Sequence, residues 1–129
     1  MENSFSLNKK VKKNIPIKES FFCEIKSKVL GKKYNLSVVF IGKKAMQAVN
    51  FKYRQKNKPT DILSFPISET EGEIFINLDC SKTKAKEFGR EFTNYLYFIF
   101  IHGLLHLKGF EHSSRMESEE QKIRKFFGV

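Results

Sequence analysis

The sequence predicts an α/β (α+β) fold: a single domain in which a small mixed β-sheet of about four strands packs with helices, one of them a long helix that carries a histidine cluster. Three observations lead there. Short β-branched and aromatic runs alternate with longer segments of helical period. The 129 residues, 40% hydrophobic and 29% charged, suit one compact domain. No repeat, low-complexity tract or Pro/Gly/Ser-rich linker divides the chain, so the unit is expected to run over 1–129. At this length folding buries roughly two-thirds of the unfolded surface, enough to hold a fold without disulfides or a structural metal.

In chain order, Ile17, Phe21, Phe22, Ile25 and Val29 recur at helical spacing between Pro16, suited to a first turn, and Gly31, suited to the position after a helix end. That predicts a helix over Pro16 to Leu30. Leu36 to Ile41 (LSVVFI) reads as a buried strand bounded by Asn35 and Gly42. Ala45, Met46, Val49 and Tyr53 restore the helical period. Pro59 predicts a turn, Ile62 to Phe65 a short strand ended by Pro66, and Glu73 to Leu78 another strand. A long helix is expected from Ser81 to about Lys108, because Phe88, Phe92, Tyr95, Leu96, Ile99, Leu105 and His106 share a broad face, with Gly89 and Gly103 weakening it locally. Tyr95, Tyr97, Phe98 and Phe100 then read as core rather than as a base-stacking surface. A last amphipathic helix spans Ser114 to Phe127 with Met116, Ile123, Phe126 and Phe127 inward.

Lys and Arg number 24 against 14 Asp and Glu, a net charge of +10 that attracts polyanions and points to nucleic acid as partner. A solvated Lys-rich surface would carry the same charge. The cluster Lys9, Lys10, Lys12 and Lys13 suits a phosphate backbone, although a mobile basic segment is the simpler reading. Cys23 and Cys80 form no C-x-x-C pair and are expected to be reduced. The opening MENSFSLNKKVKKN lacks the apolar stretch of a secretory signal, and the longest apolar run, Tyr95 to Ile101, is too short to span a bilayer. A cytoplasmic location is therefore expected, where the sequon at Asn35 has no use.

All three histidines fall within HGLLHLKGFEH, at His102, His106 and His112. Residues four apart on a helix share a face, so His102 and His106 can address one ion. Gly109 suits a helix stop that turns the chain back and brings His112 to the same point. Three neutral imidazoles suit one divalent ion such as Zn2+ and leave a coordination position open for chemistry. The spacing is that of the extended zinc-protease motif, except that Gly103 stands where those enzymes carry a Glu general base. A peptidase lacking that proton acceptor is handicapped.

HGLLHLKGFEH resembles the signature of the YbeY family of bacterial rRNA-maturation endoribonucleases. The segment NFKYRQKNKPTDILSFP, from Asn50 to Pro66, and Gly72-Glu73-Ile74 resemble two further blocks of that family in the same order, over about three-quarters of the chain. The resemblance implies that His102, His106 and His112 are metal ligands. It implies that Arg54 contacts RNA or supports cleavage, and that Thr60, Asp61 and Ser64 lie beside the site. Asp61 is a candidate to orient a ligand imidazole or Arg54, and equally a turn or cap residue; Ser64 is a candidate for substrate binding. It further implies single-stranded RNA as substrate, 16S rRNA 3′-end processing, ribosome quality control on ribosomal particles and no membrane partner. Phe110, Glu111 and Glu73 replace the family's usual Tyr, Asp and Asp. Two other readings stay open at this point: a metal-dependent peptidase or amidase, and a non-catalytic RNA-binding factor in ribosome assembly.

Overall fold

The computed structural model describes residues 4–12, 14–56 and 60–129. Lys13 of the basic cluster and the turn expected at Pro59 lie outside them. The elements run β1 (Phe5–Lys9), α1 (Glu19–Leu30), β2 (Asn35–Ile41), α2 (Lys43–Arg54), β3 (Ile62–Ser68), β4 (Glu71–Asn77), α3 (Leu78–Glu87), α4 (Phe92–Leu107) and α5 (Ser114–Phe127). The sheet order is β1-β2-β4-β3, with β1, β2 and β4 parallel and β3 antiparallel to β4. This is the mixed four-stranded sheet with helices that the sequence predicts.

Alternation along the strands separates two apolar faces. Leu36, Val38, Phe40, Ile74 and Ile76 point into the main core with α1 and α4. Val39, Ile41 and Leu63 point the other way, where Met46 of α2 covers them. Helix α4 lies deepest, with Leu96, Phe100, Ile101 and Leu104 fully buried. A helix apolar nearly all round belongs inside, and its buried walls fix the two histidine turns at its end.

Four sequence expectations are corrected. The N-terminal basic segment is not loose at its start: Phe5–Lys9 pairs with Leu36–Phe40, and the Lys10 N–H donates to the Phe40 carbonyl at 2.8 Å. Helix α1 begins at Glu19 rather than Pro16, because Lys18 is extended (φ −95°, ψ 119°) and serves as its N-cap. The single helix expected over 81–108 is two. Gly89 takes φ 64°, the Arg90 N–H closes back on the Ala85 carbonyl at 2.8 Å, and α4 restarts after Glu91. Strand β3 passes through Pro66 to Ser68, since an edge strand tolerates a missing N–H, and its ladder with β4 slips between those residues.

Smaller details follow local chemistry. The Asn77 side chain accepts from the Asp79 and Cys80 N–H groups and starts α3 directly after β4. Ser113 caps α5 through the Met116 N–H. On α5, Met116 and Ile123 are buried as expected, whereas Phe126 is exposed because it lies beyond the core contact. Both cysteines are free thiols. No helix among the described residues is long and apolar enough to cross a membrane.

Candidate metal centre and cleft

His102 and His106 stand on the last two turns of α4, and Gly109 ends the helix at φ 104°, a conformation open to glycine. The Gly109 N–H donates to the His106 carbonyl and the Phe110 N–H to the Leu105 carbonyl, both at 3.0 Å, so the chain doubles back. That reversal sets the His112 ring 5.2 and 4.8 Å from the rings of His102 and His106, centroid to centroid. One ligand atom from each histidine lies within 4.8 Å of the other two.

The hydrogen bonds decide which nitrogens face inward. His106 Nδ1 lies 3.1 Å from the Phe110 carbonyl, which can only accept, so Nδ1 carries the proton. His102 Nδ1 lies 2.5 Å from Glu120 Oε1 on α5 and likewise donates. Both Nε2 atoms are then lone pairs in the neutral rings, and they face each other at 3.1 Å. Two lone pairs at that separation repel unless a proton or a metal ion lies between them. Tetrahedral zinc with bonds of about 2.0 to 2.1 Å separates its nitrogens by roughly 3.3 Å, so the donor set fits such an ion. Burial, then the neighbouring His102 imidazole, lowers the His106 pKa, which favours the neutral ring that can ligate.

Glu120 was absent from the sequence expectations. It lies in an acidic stretch, Glu117, Glu119 and Glu120, that reads as a solvated face. The signal was its spacing: Glu120 falls four residues after Met116 and three before Ile123, on the buried side of α5, and its side chain is only 13% exposed. Phe110 holds His106 through its backbone carbonyl, a contact that does not depend on its side chain.

Gly103 faces the sheet rather than the histidine side. A Cβ there would lie 2.7 Å from Ile62 Cδ1 and 2.9 Å from Ser64 Oγ. Hence a Glu of the protease type has no room at this position. Replacing Gly103 by Ala is expected to cost about 1–3 kcal/mol by overpacking and to lower the melting temperature by roughly 3–15 °C. A thermal melt of Gly103→Ala checks this, and an unchanged midpoint would mean that the Ile62 and Ser64 side chains move aside to admit the methyl.

The histidines open onto a cleft of about 870 Å3 whose walls include Arg54, Thr60, Asp61 and Ser64. Helices α2 and α4, strand β3 and the turn that carries His112 supply these walls and the rings, and they come together only in the fold. Arg54 ends α2, is exposed, and makes no ion pair among the described residues; its charge contributes to lowering the His106 pKa. Ser64 donates to the Gly103 carbonyl at 3.0 Å and so ties β3 to α4. Asp61 is buried and accepts from the Tyr95 hydroxyl at 2.7 Å, with Thr60 Oγ1 at 3.4 Å from its other oxygen. Burial, and then the bond to Asp61, pushes the Tyr95 pKa up. Asp61 thus ties the start of β3 to α4, and the carboxylate on a histidine is Glu120 instead.

Fold and cleft together define a small mixed α/β protein with a candidate three-histidine metal centre. A family model described as Endoribonuclease YbeY matches residues 4–127. Endoribonuclease YbeY of Thermodesulfovibrio yellowstonii is 40% identical over 92% of this chain and 82% of its own length. Endoribonuclease YbeY of Campylobacter jejuni is 35% identical over 84% of this chain and 86% of its own. The solution structure of TM1509 from Thermotoga maritima, 23% identical, superposes with a TM-score of 0.68 over 96% of this chain and 89% of that one, which shows the shared fold. The chain belongs to the YbeY endoribonuclease family. Membership makes it a nuclease-type hydrolase with RNA as its substrate class.

Proposed function

We propose that the chain is a metal-dependent, single-strand-specific endoribonuclease that works as one domain in 16S rRNA 3′-end maturation and ribosome quality control. The reading places it in the cytoplasm, acting on ribosomal particles, with His102, His106 and His112 holding one Zn2+ ion. The observation that carries the metal assignment is the pair of facing Nε2 atoms, left as lone pairs because Glu120 and the Phe110 carbonyl occupy both Nδ1 positions. A divalent ion held there would supply Lewis acidity toward a phosphoryl oxygen and lower the pKa of water to about 7. The remaining work falls to side chains. Arg54, exposed in the same cleft, offers a planar fork of donors to the phosphate and stabilises the charge that grows on it during cleavage. The bond from the Tyr95 hydroxyl to Asp61 and the bond from Ser64 to the Gly103 carbonyl hold the walls of the cleft. Gly103 disfavours the peptidase reading, since the acid that peptidases use next to the first histidine cannot be housed.

Arg54→Ala is expected to slow single-turnover cleavage of a single-stranded RNA on the order of 100-fold while leaving folding unchanged, because the side chain is exposed. Rate and thermal midpoint are measured on the same preparation. Cleavage at the wild-type rate by a normally folded Arg54→Ala protein would remove Arg54 from the catalytic group.

A further inference from the structure

We infer that Phe88 is a base-stacking subsite for a nucleotide of the single-stranded RNA, next to the histidine cluster; this deepens the nuclease reading above and rests on it. Phe88 sits at the C-cap of α3 and is 62% exposed. It lines the same cleft as Arg54 and the three histidines. Its ring is near-parallel to that of Tyr95, at an interplanar angle of 13° with centroids 6.0 Å apart. Tyr95 in turn is buried and held by Asp61, so the platform is fixed from behind. The kink at Gly89 causes this arrangement: an unbroken helix would carry Phe88 into the core face with Phe92 and Tyr95.

An aromatic ring fixed behind and exposed in front suits a nucleobase, which stacks without requiring a particular hydrogen-bond pattern. Lys84, one turn earlier on α3, lines the cleft as well and offers a cation to a flanking phosphate. The net charge of +10 over the whole chain draws a polyanion toward the molecule, and Arg54 and Lys84 are the cations that line the cleft itself. The subsite is expected to tolerate any base and to select against paired strands, whose bases are already stacked on one another.

The chain contains no tryptophan, so Phe88→Trp introduces a single fluorescent reporter. Titrating an oligouridylate into Phe88→Trp, in a His106→Ala background that keeps the RNA intact, should quench the emission saturably. Phe126→Trp in the same background, on an exposed position outside the cleft, should not respond. In steady-state cleavage, Phe88→Ala should raise KM about 5- to 150-fold with kcat nearly unchanged. Phe88→Leu preserves packing on Tyr95 without an aromatic face and should behave like the Ala variant, whereas Phe88→Tyr should restore the wild-type KM. Wild-type KM in both the Ala and Leu variants, or an unchanged Phe88→Trp emission while the RNA is bound, would overturn the subsite. Saturable quenching by a protein that never cleaves RNA would support the subsite and remove the nuclease reading instead, so the two failures are distinct.

Discussion

His106→Ala is expected to abolish cleavage of single-stranded RNA while leaving RNA affinity and its salt dependence as they are. The two functions draw on different residues. His106 is partly buried, its Nδ1 is committed to the Phe110 carbonyl and its Nε2 faces His102, so it sits in the middle of the candidate metal centre rather than on the basic surface. With two imidazoles left, a bound ion loses a ligand and its fixed place in the cleft. Affinity for RNA instead follows counterion release from Lys and Arg spread along the chain, with log affinity falling by about 0.7 per phosphate contact against log salt on a single strand. Binding and cleavage of one RNA, followed across a salt series for wild type and His106→Ala, separate the two. Robust cleavage by the variant, free of contaminating nuclease, would exclude a metal mechanism at this site.

Glu120→Ala is expected to weaken metal affinity 10- to 100-fold without removing any of the three imidazoles. The carboxylate holds the His102 Nδ1 proton from the far side of the ring, which sets both its tautomer and its direction. Glu120→Gln retains an oxygen acceptor and loses the charge, so its affinity should fall between those of wild type and the Ala variant. Competition with a chromophoric zinc chelator gives the three dissociation constants, and circular dichroism checks that the stripped proteins fold alike. Equal affinities for Glu120→Ala and wild type would show that the Gly109 turn and α4 orient His102 unaided.

What the sequence revealed, and what it hid, follows from the range of the interactions. The histidine spacing and Gly109 were legible because they act within eleven residues, through one helix end and one turn. Strand β2 and helices α2 and α5 were legible because their apolar periods are long and local. Strand β1 was not: FSLNK has only Phe5 and Leu7 as apolar residues, and its partner in the sheet is some thirty residues away. The break between α3 and α4 was hidden because apolar residues continue in helical phase across Gly89, and only the left-handed backbone there shows two helices. Glu120 was hidden by its acidic neighbours, and the exposure of Phe88 by the break that the periodicity missed. Asp61 and Ser64 were placed near the site by resemblance, and their partners, Tyr95 and the Gly103 carbonyl, could be found only in three dimensions.

The central claim is that cleavage belongs to one divalent ion on three histidines. The direct test is to strip the protein with a chelator, titrate Zn2+ back, and follow cleavage of a single-stranded RNA together with bound metal. Activity absent from the stripped protein and rising to a plateau at one equivalent of zinc is the predicted result. Full activity in protein shown to be free of metal would contradict it.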